Sequence, residues 1–278
     1  MFNKNYDTPD AINISYSQFS KYKFCPWKFY IEKVVNQGID DKNIHLYFGQ
    51  AFHETVQKKF LDPNVTLETL KTNFKIVIFF LIHKDKFQIT REALDLYCQQ
   101  AYGIFDTIPF EKIHKEFEVI NTEFEFFYEI GSKKVFHGII DFILKNKKTG
   151  RYLLGDWKTS VKDWSNSKIK DEVFTSQLQF YKYFWAKKKD IPLKDIDIEY
   201  WVVSREGKNK FTRFLVESTE KNIKTNVNDL KYTMQLIHLD QKFPKVKFKS
   251  SHKCNMCIYN GKPEFCNEEA KQELKNPK

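Results

Sequence analysis

Asp156 and Lys158 lie two residues apart at the end of the segment "GRYLLGDWKTS", which spans residues 150–160. The apolar run before them predicts a strand, and residues two apart on a strand point to the same face. A surface ion pair would explain this arrangement simply. A carboxylate beside an ammonium group is also half of the equipment for metal-assisted phosphodiester hydrolysis.

A second aspartate, Asp141, lies in "VFHGIIDFILK", which also predicts a strand. The turn segment "NKKTG" follows it, so we expect a hairpin that brings Asp141 close to Asp156. Two ionised carboxylates repel each other, and a divalent cation is the usual remedy. Gly138 and Gly155 lie beside the two acids, where a backbone or a ligand could approach closely. The hairpin therefore predicts a metal site, with a polar hairpin bearing one ion pair as the simpler alternative.

The order of elements predicts an α/β, or α+β, fold with a mixed sheet core flanked by helices. Apolar periodicity predicts helices over 47–61, 66–84, 90–108, 171–189 and 219–240, and strands over 115–130, 135–145, 151–158, 196–204 and 211–217. The run "IVIFFLI" at 76–82 is too short for a membrane span, and we expect it to be a buried part of a helix. We expect three parts: a helical part over 1–110, a core over 111–245 and a cysteine-bearing tail over 246–278.

The composition indicates a basic globular protein. The chain has 278 residues, 41% of them hydrophobic, and a formal net charge of +10. Such an excess of positive charge favours a polyanionic partner, nucleic acid first and a membrane surface second. The N-terminal segment "MFNKNYDTPDAINIS" has no apolar signal core, so we expect a cytoplasmic protein, or one in the host cytoplasm if a virus encodes it. Structural disulfides are not expected in that compartment.

Four short motifs together resemble the PD-(D/E)XK nuclease superfamily, and more narrowly its RecB-like branch. Asp141 precedes Asp156-Trp157-Lys158 by the spacing of the two central motifs, with Ile140 in place of the proline that names the superfamily. Upstream, "GQAFHE" resembles the Gly-x-x-x-His helix motif of the branch and ends in His53 and Glu54. Downstream, "QLQFY" resembles its Gln-x-x-x-Tyr motif. The resemblance implies a restriction-endonuclease-like fold.

The resemblance also implies the roles of individual residues. It implies that Mg²⁺ or Mn²⁺ is bound by His53, Asp141, Asp156 and the backbone carbonyl of Trp157. Lys158 would position the attacking water and stabilise negative charge on the phosphate. Gln177 and Tyr181 would orient the lysine or contact the DNA backbone, although a capping glutamine and a core tyrosine are the simpler alternative. Glu54 points about 100° away from His53 on a helix and is not expected to bind the metal.

The cysteines suggest a second metal site. Cys254, Cys257 and Cys266 follow a C-x-x-C pattern with a third cysteine, and Cys25 can supply a fourth thiolate. The resemblance extends to the AddB-type and CRISPR-associated exonucleases, in which one early and three late cysteines hold a [4Fe–4S] cluster. Zinc, bound by four cysteines or by three and His252, and free thiols remain alternatives. We expect Cys98, on a helical face, to be a buried structural thiol.

These observations and the resemblance predict a metal-dependent DNA nuclease in recombination, repair or DNA processing. We expect an exonuclease acting on single-stranded DNA or DNA ends, and the sequence leaves an endonuclease open. Lys21, Lys23, Lys28 and Trp27 could follow and stack a single strand, or simply pack around the cluster. No GxxxxGK[ST] phosphate loop is present, so a helicase or a recombination protein is an expected partner. A non-catalytic DNA-binding or assembly module that keeps the fold and cluster is the alternative.

Overall fold

The computed structural model describes residues 12–34, 36, 38, 42–242, 254–255, 257–262 and 265–266. The α-helices of these residues are α1 (Tyr16–Phe24), α2 (Pro26–Phe29), α3 (Ile44–Leu61), α4 (Leu67–Lys84), α5 (Arg91–Phe105), α6 (Phe110–Glu116), α7 (Asn166–Ile169), α8 (Glu172–Lys189) and α9 (Glu220–Lys242). The strands are β1 (Ile12–Ser15), β2 (Phe117–Gly131), β3 (Lys134–Asn146), β4 (Tyr152–Ser160), β5 (Ile196–Ser204) and β6 (Phe211–Leu215). A π-helix covers Tyr30–Val34 and a 3₁₀ helix covers Leu193–Asp195.

The chain forms two compact units. The first is drawn from Met1–Asp40, Phe127–Gly138 and Thr225–Lys278, and the second from Asp41–Phe126 and Ile139–Lys224. Each unit is defined by which residues pack together, so it combines segments that are distant in the sequence. The expected division of the chain into three parts, 1–110, 111–245 and 246–278, stays a prediction.

In the second unit, β3, β4, β5 and β6 form a mixed sheet. Strand β4 pairs antiparallel with β3 and parallel with β5, and β5 pairs antiparallel with β6. Helix α3 packs against β4, and α8 packs against β4 and β5. The predicted mixed α/β fold is confirmed.

An aromatic core lies between α3 and the sheet of the second unit. Phe52 and Phe60 of α3 contact the indole of Trp157, and Phe142 lies 4.5 Å from Trp201 between ring centroids. The face of α3 formed by Phe48, Phe52, Val56 and Phe60, which are four residues apart, is buried throughout. Because Trp157 and Trp201 point into this core, their strand neighbours Asp156 and Tyr200 point to the opposite face.

Helix α4 differs from the expectation for "IVIFFLI". Val77, Ile78 and Ile82 are buried, but Ile76, Phe79 and Phe80 are 61%, 58% and 62% exposed. An apolar run in a helix covers every direction around its axis, and only one stripe meets the core here. None of the described helices has the length and apolar character needed to cross a membrane.

In the first unit, β1 pairs in parallel with the beginning of β3, from Ile12 opposite Lys134 to Ser15 opposite His137. Ser15 caps α1, and its hydroxyl and the Gln18 side chain form a reciprocal capping box. Strand β1 was not predicted. A four-residue strand is too short for a periodic signal in the sequence.

Candidate active site

The hairpin of β3 and β4 places Asp141 beside Asp156. The two strands pair from Lys145 opposite Tyr152 to Phe142 opposite Gly155, and the two aspartates are the next residues along each strand. The Asp141 Oδ2 atom accepts a hydrogen bond of 2.6 Å from the Trp157 backbone N–H. The side chain of Asp141 is thereby tied to the strand that carries Asp156.

Gly155 allows the side chain of Phe142, rather than a ligand or another backbone, to approach the strand closely. A Cβ atom built at this position would lie 1.8 Å from Cζ of Phe142, its cross-strand partner. The Phe142 ring therefore occupies the space that the sequence suggested for a backbone or a ligand.

His53 reaches this hairpin from α3. Its Nδ1 atom lies 3.3 Å from Asp141 Oδ2, and its ring hydrogen-bonds to the backbone of Trp157. Burial lowers the pKa of His53, which favours the neutral imidazole that binds metals. The following residue, Glu54, is exposed and is not part of the group described next.

Glu123 of β2 is a site residue that the sequence did not predict. Within the described part of the chain, one group of three metal-binding side chains has ligand atoms within 4.8 Å of one another: His53, Glu123 and Asp141. Glu123 has a φ of 49°, a left-handed conformation that is unusual inside a strand. Strand β2 contains several glutamates, so the sequence offers no signal that distinguishes this one.

Asp156 is held between a lysine and an amide. Its Oδ2 atom lies 2.6 Å from Lys158 Nζ, and its Oδ1 atom accepts a 2.9 Å hydrogen bond from Gln177 Nε2. The ion pair is the one expected from their spacing. The Oδ2 atom is buried, and the Lys158 ammonium group is its charged neighbour.

The carboxylates exceed the nearby positive charge. Burial, reinforced by the Asp156 carboxylate, raises the pKa of Asp141 well above its usual range. The same two causes, in the same order, raise the pKa of Glu123. A divalent cation would offset this excess, and carboxylate oxygens with one neutral imidazole suit Mg²⁺ or Mn²⁺. The residues present therefore fit such an ion.

Gln177 and Tyr181 share one face of α8, one turn apart. Gln177 Nε2 also lies 3.2 Å from the Tyr181 hydroxyl, so the glutamine links that tyrosine to Asp156. The Tyr181 ring is nearly buried and packs edge-on against Phe126. The structure thus brings both residues to the carboxylates, and it also gives the tyrosine a packing contact.

Trp157 separates two environments. Its indole is 4% exposed and packs into the aromatic core. Its backbone hydrogen-bonds to His53 and Asp141, on the side of the charged residues.

Cys25, Cys254, Cys257 and Cys266 lie in the first unit, and each is a thiol rather than half of a disulfide. Cys25 caps α2, and its sulfur accepts a 3.4 Å hydrogen bond from the Lys28 N–H. Burial raises the pKa of the Cys25 thiol, and the nearby Cys257 and Cys254 add to that increase. The Trp27 indole donates a 2.7 Å hydrogen bond to the Phe265 carbonyl. Segments from both ends of the sequence therefore meet in this unit.

Two further expectations concern Cys98 and His252. Cys98 is buried in α5, as expected for a structural thiol. His252, the alternative zinc ligand, lies outside the described residues.

Comparisons with known proteins bear on the family and the fold of the chain. The family model of the PD-(D/E)XK nuclease superfamily matches residues 13–261. Among solved structures, the chain resembles one from Eubacterium rectale named "Putative exonuclease", with a TM-score of 0.58 and 13% identity. That match covers 94% of this chain and 92% of the other, and at this identity it shows a common fold. A search of curated proteins finds no match.

Proposed function

Because the chain belongs to the PD-(D/E)XK nuclease superfamily, we propose that it is a metal-dependent DNA nuclease of the RecB-like branch. Its substrate in this proposal is single-stranded DNA or a DNA end, which it degrades as an exonuclease. The observation that carries the proposal is the convergence of His53, Asp141, Asp156 and Lys158, drawn from a helix and two strands. A packing role alone would not require three carboxylates to share a site with one lysine.

The proposed ligands of Mg²⁺ or Mn²⁺ are His53, Asp141, Asp156 and the carbonyl of Trp157, with Glu123 as a further carboxylate. When bound, the cation would polarise the scissile phosphate and lower the pKa of a coordinated water. Only ionised carboxylates are good ligands, so the raised pKa values of Glu123 and Asp141 should make metal binding stronger as pH rises.

Lys158 is the proposed catalytic cation. Its side chain is 28% exposed, so the ammonium group can meet a substrate while it remains beside Asp156. An ammonium group in this position can hold a water molecule and stabilise the charge that develops on a phosphate oxygen. Gln177 donates a hydrogen bond to the other oxygen of the Asp156 carboxylate, which helps to hold that carboxylate beside Lys158.

The proposal includes a [4Fe–4S] cluster held by Cys25, Cys254, Cys257 and Cys266. The resemblance to exonucleases with one early and three late cysteines is what supports the cluster. Four thiolates could also hold one zinc ion, which stays the alternative.

Digestion of end-labelled DNA tests the proposed activity and its polarity together. Single- and double-stranded DNA carrying a 5′ or a 3′ label would be incubated with Mg²⁺ or Mn²⁺. We expect progressive shortening from one end that EDTA abolishes. Internal fragments without terminal shortening would replace the exonuclease with an endonuclease.

Binding without cleavage would support the alternative of a DNA-binding or assembly module. That module would bind DNA with an affinity that falls steeply as salt is raised, because the net charge is +10. A cytoplasmic location and a helicase or recombination partner belong to the same proposal as the exonuclease.

A further inference from the structure

Tyr200 of β5 lies beside Asp156 and Lys158. It is the register partner of Asp156 across the parallel β4–β5 pair, so both side chains point to the same face of the sheet. Tyr200 is fully buried. Neither the motifs of the sequence nor the family comparison assigns a role to this residue.

The hydroxyl of Tyr200 lies next to two acceptors on α8. It is 2.7 Å from the carbonyl oxygen of Phe174 and 3.1 Å from Oε1 of Gln177. The Asp156 carboxylate accepts hydrogen bonds but cannot donate them, so Gln177 must turn its Nε2 group toward Asp156. This orientation directs Oε1 toward Tyr200, whose single phenolic proton is shared between Oε1 and the nearer Phe174 carbonyl oxygen.

The ring of Tyr200 contacts the other partner of Asp156. Lys158 Nζ lies 5.5 Å from the ring centroid, a cation–π distance. The indole of Trp164 and the ring of Phe174 pack against Tyr200 at centroid distances of 5.6 and 6.2 Å. This packing leaves the tyrosine little freedom to move away from Lys158.

We propose that Tyr200 is a positioning residue that fixes both Gln177 and Lys158 around Asp156. The hydroxyl selects the orientation of the Gln177 amide, and the ring supports the Lys158 ammonium group. The inference rests on the proposed function, because it assigns Tyr200 to the nuclease site. A residue that only packs would act through its ring, whereas the proposed role also needs the Tyr200 hydroxyl to hold the Gln177 amide.

A double-mutant cycle tests the hydroxyl. Tyr200→Phe keeps the ring, and we expect kcat on single-stranded DNA to fall about threefold to tenfold, the value of one hydrogen bond. KM for DNA should not change, because Tyr200 is buried away from the substrate. In a Gln177→Ala background the same substitution should have no further effect. Tyr152→Phe in β4, whose ring packs on Trp185, is the matched control and should retain wild-type kcat.

Tyr200→Leu tests the ring. We expect a larger loss of kcat than for Tyr200→Phe, since Lys158 also loses its aromatic contact. Melting temperatures of both variants would verify that they are folded. Wild-type kcat in folded Tyr200→Phe, or equal losses with and without Gln177, would overturn the inference.

A second measurement separates this inference from the proposed function. The side-chain amide of Gln177 can be followed by NMR in glutamine-labelled protein and assigned by its absence in Gln177→Ala. We expect slowed hydrogen exchange of this amide in the wild type and faster exchange in Tyr200→Phe. If the wild type cleaves no DNA, the nuclease proposal fails while the exchange rates still decide the role of Tyr200. Equal exchange rates would contradict that role even in an active enzyme.

Discussion

Three carboxylates and one lysine set the charge balance of the site. Glu123, Asp141 and Asp156 would together carry three negative charges when ionised, and Lys158 supplies one positive charge. Burial intensifies the repulsion, because water cannot screen charges that it does not reach. Burial and the neighbouring Asp156 carboxylate raise the pKa of Asp141 and of Glu123, so both hold a proton more tightly than a free carboxyl group does.

The stability of the metal-free protein should therefore depend on pH through Asp141. An acid with a raised pKa in the folded state binds its proton more tightly there than in the unfolded chain. Its contribution to stability is full below the ordinary carboxyl pKa and is lost as pH rises through the raised value. Asp141→Asn keeps an oxygen for the Trp157 N–H but does not titrate.

We expect Asp141→Asn in EDTA to melt a few degrees above the wild type at about pH 8.5 and near the wild type at about pH 4. Differential scanning fluorimetry across this range would measure both. The same melting difference at the two ends of the range would show that Asp141 is not the titrating group.

Single residues of the site differ in how far the sequence could predict them. His53, Asp141 and Lys158 belong to short motifs whose order along the chain is recognisable, and the structure brings them together. Glu123 and Tyr200 do not belong to such motifs. The position of Glu123 depends on one left-handed backbone conformation within β2, and that of Tyr200 on the register of β5 against β4. Neither property has a local signal in the sequence.

At the level of elements, the Phe142 ring of β3 packs directly over Gly155 of β4 in the β3–β4 hairpin. The Phe142 ring lies where a side chain at position 155 would be, and it also packs against Trp157 and Trp201. This ring cannot move without disturbing the aromatic core. The position of Asp156, one residue further along β4, therefore depends on the absence of a side chain at Gly155.

Gly155→Ala should destabilise the second unit. A Cβ atom at 1.8 Å from Phe142 requires a shift of the ring or of the strand, and overpacking of this kind costs about 1–3 kcal/mol or more. Urea unfolding would measure the loss as a lower midpoint. Gly103→Ala in α5 is the control, because its Cβ atom would meet no atom within 4 Å. That control should gain up to about 1 kcal/mol from helix propensity.

A Gly155→Ala midpoint equal to that of the wild type would show that the hairpin adapts easily. The double variant Gly155→Ala with Phe142→Leu distinguishes the cause of a loss. If the clash is responsible, the smaller Leu should make the alanine less costly than it is beside Phe142.

Most elements were predictable because their apolar periodicity is long and regular. Helices α3, α4, α5, α8 and α9 and strands β2 to β6 appear close to their predicted positions. The sequence did not indicate α6. This helix begins directly after Pro109, beyond the end of the helix predicted over 90–108. The exposed face of α4 was also missed, because hydrophobicity identifies an apolar run but not which of its sides meets the core.

At the level of the whole molecule, the first unit joins segments from the two ends of the sequence. The Tyr259 hydroxyl donates a 3.0 Å hydrogen bond to Glu32, and the Lys28 ammonium group lies 5.7 Å from the Tyr259 ring centroid. These contacts link the segment that follows Cys25 to the segment that carries Cys257. A cluster bound by both segments would close a loop of most of the chain and so restrict the unfolded state.

Iron content should therefore depend on Cys257 and not on Cys98. We expect protein purified without oxygen to contain iron and acid-labile sulfide in equal amounts, and Cys257→Ser to lose most of both. Cys98→Ala removes a buried thiol of the second unit and should retain the cluster. Metal analysis and the visible absorption spectrum would report the result. Zinc without sulfide would support the zinc alternative, and metal-free wild-type protein would exclude both sites.

The central claim, that Asp156 and Lys158 act in metal-dependent cleavage of DNA, has one direct measurement. The rate of cleavage of end-labelled single-stranded DNA in Mg²⁺ or Mn²⁺ would be compared among the wild type, Asp156→Asn, Lys158→Ala and the control Glu54→Gln. Glu54 is an exposed acid next to His53, so its variant tests a loss of charge near the site without a loss of a proposed ligand. We expect a loss of about 100-fold or more for Asp156→Asn and Lys158→Ala and a wild-type rate for Glu54→Gln. Metal-dependent cleavage that persists at the wild-type rate in Asp156→Asn would contradict the assignment.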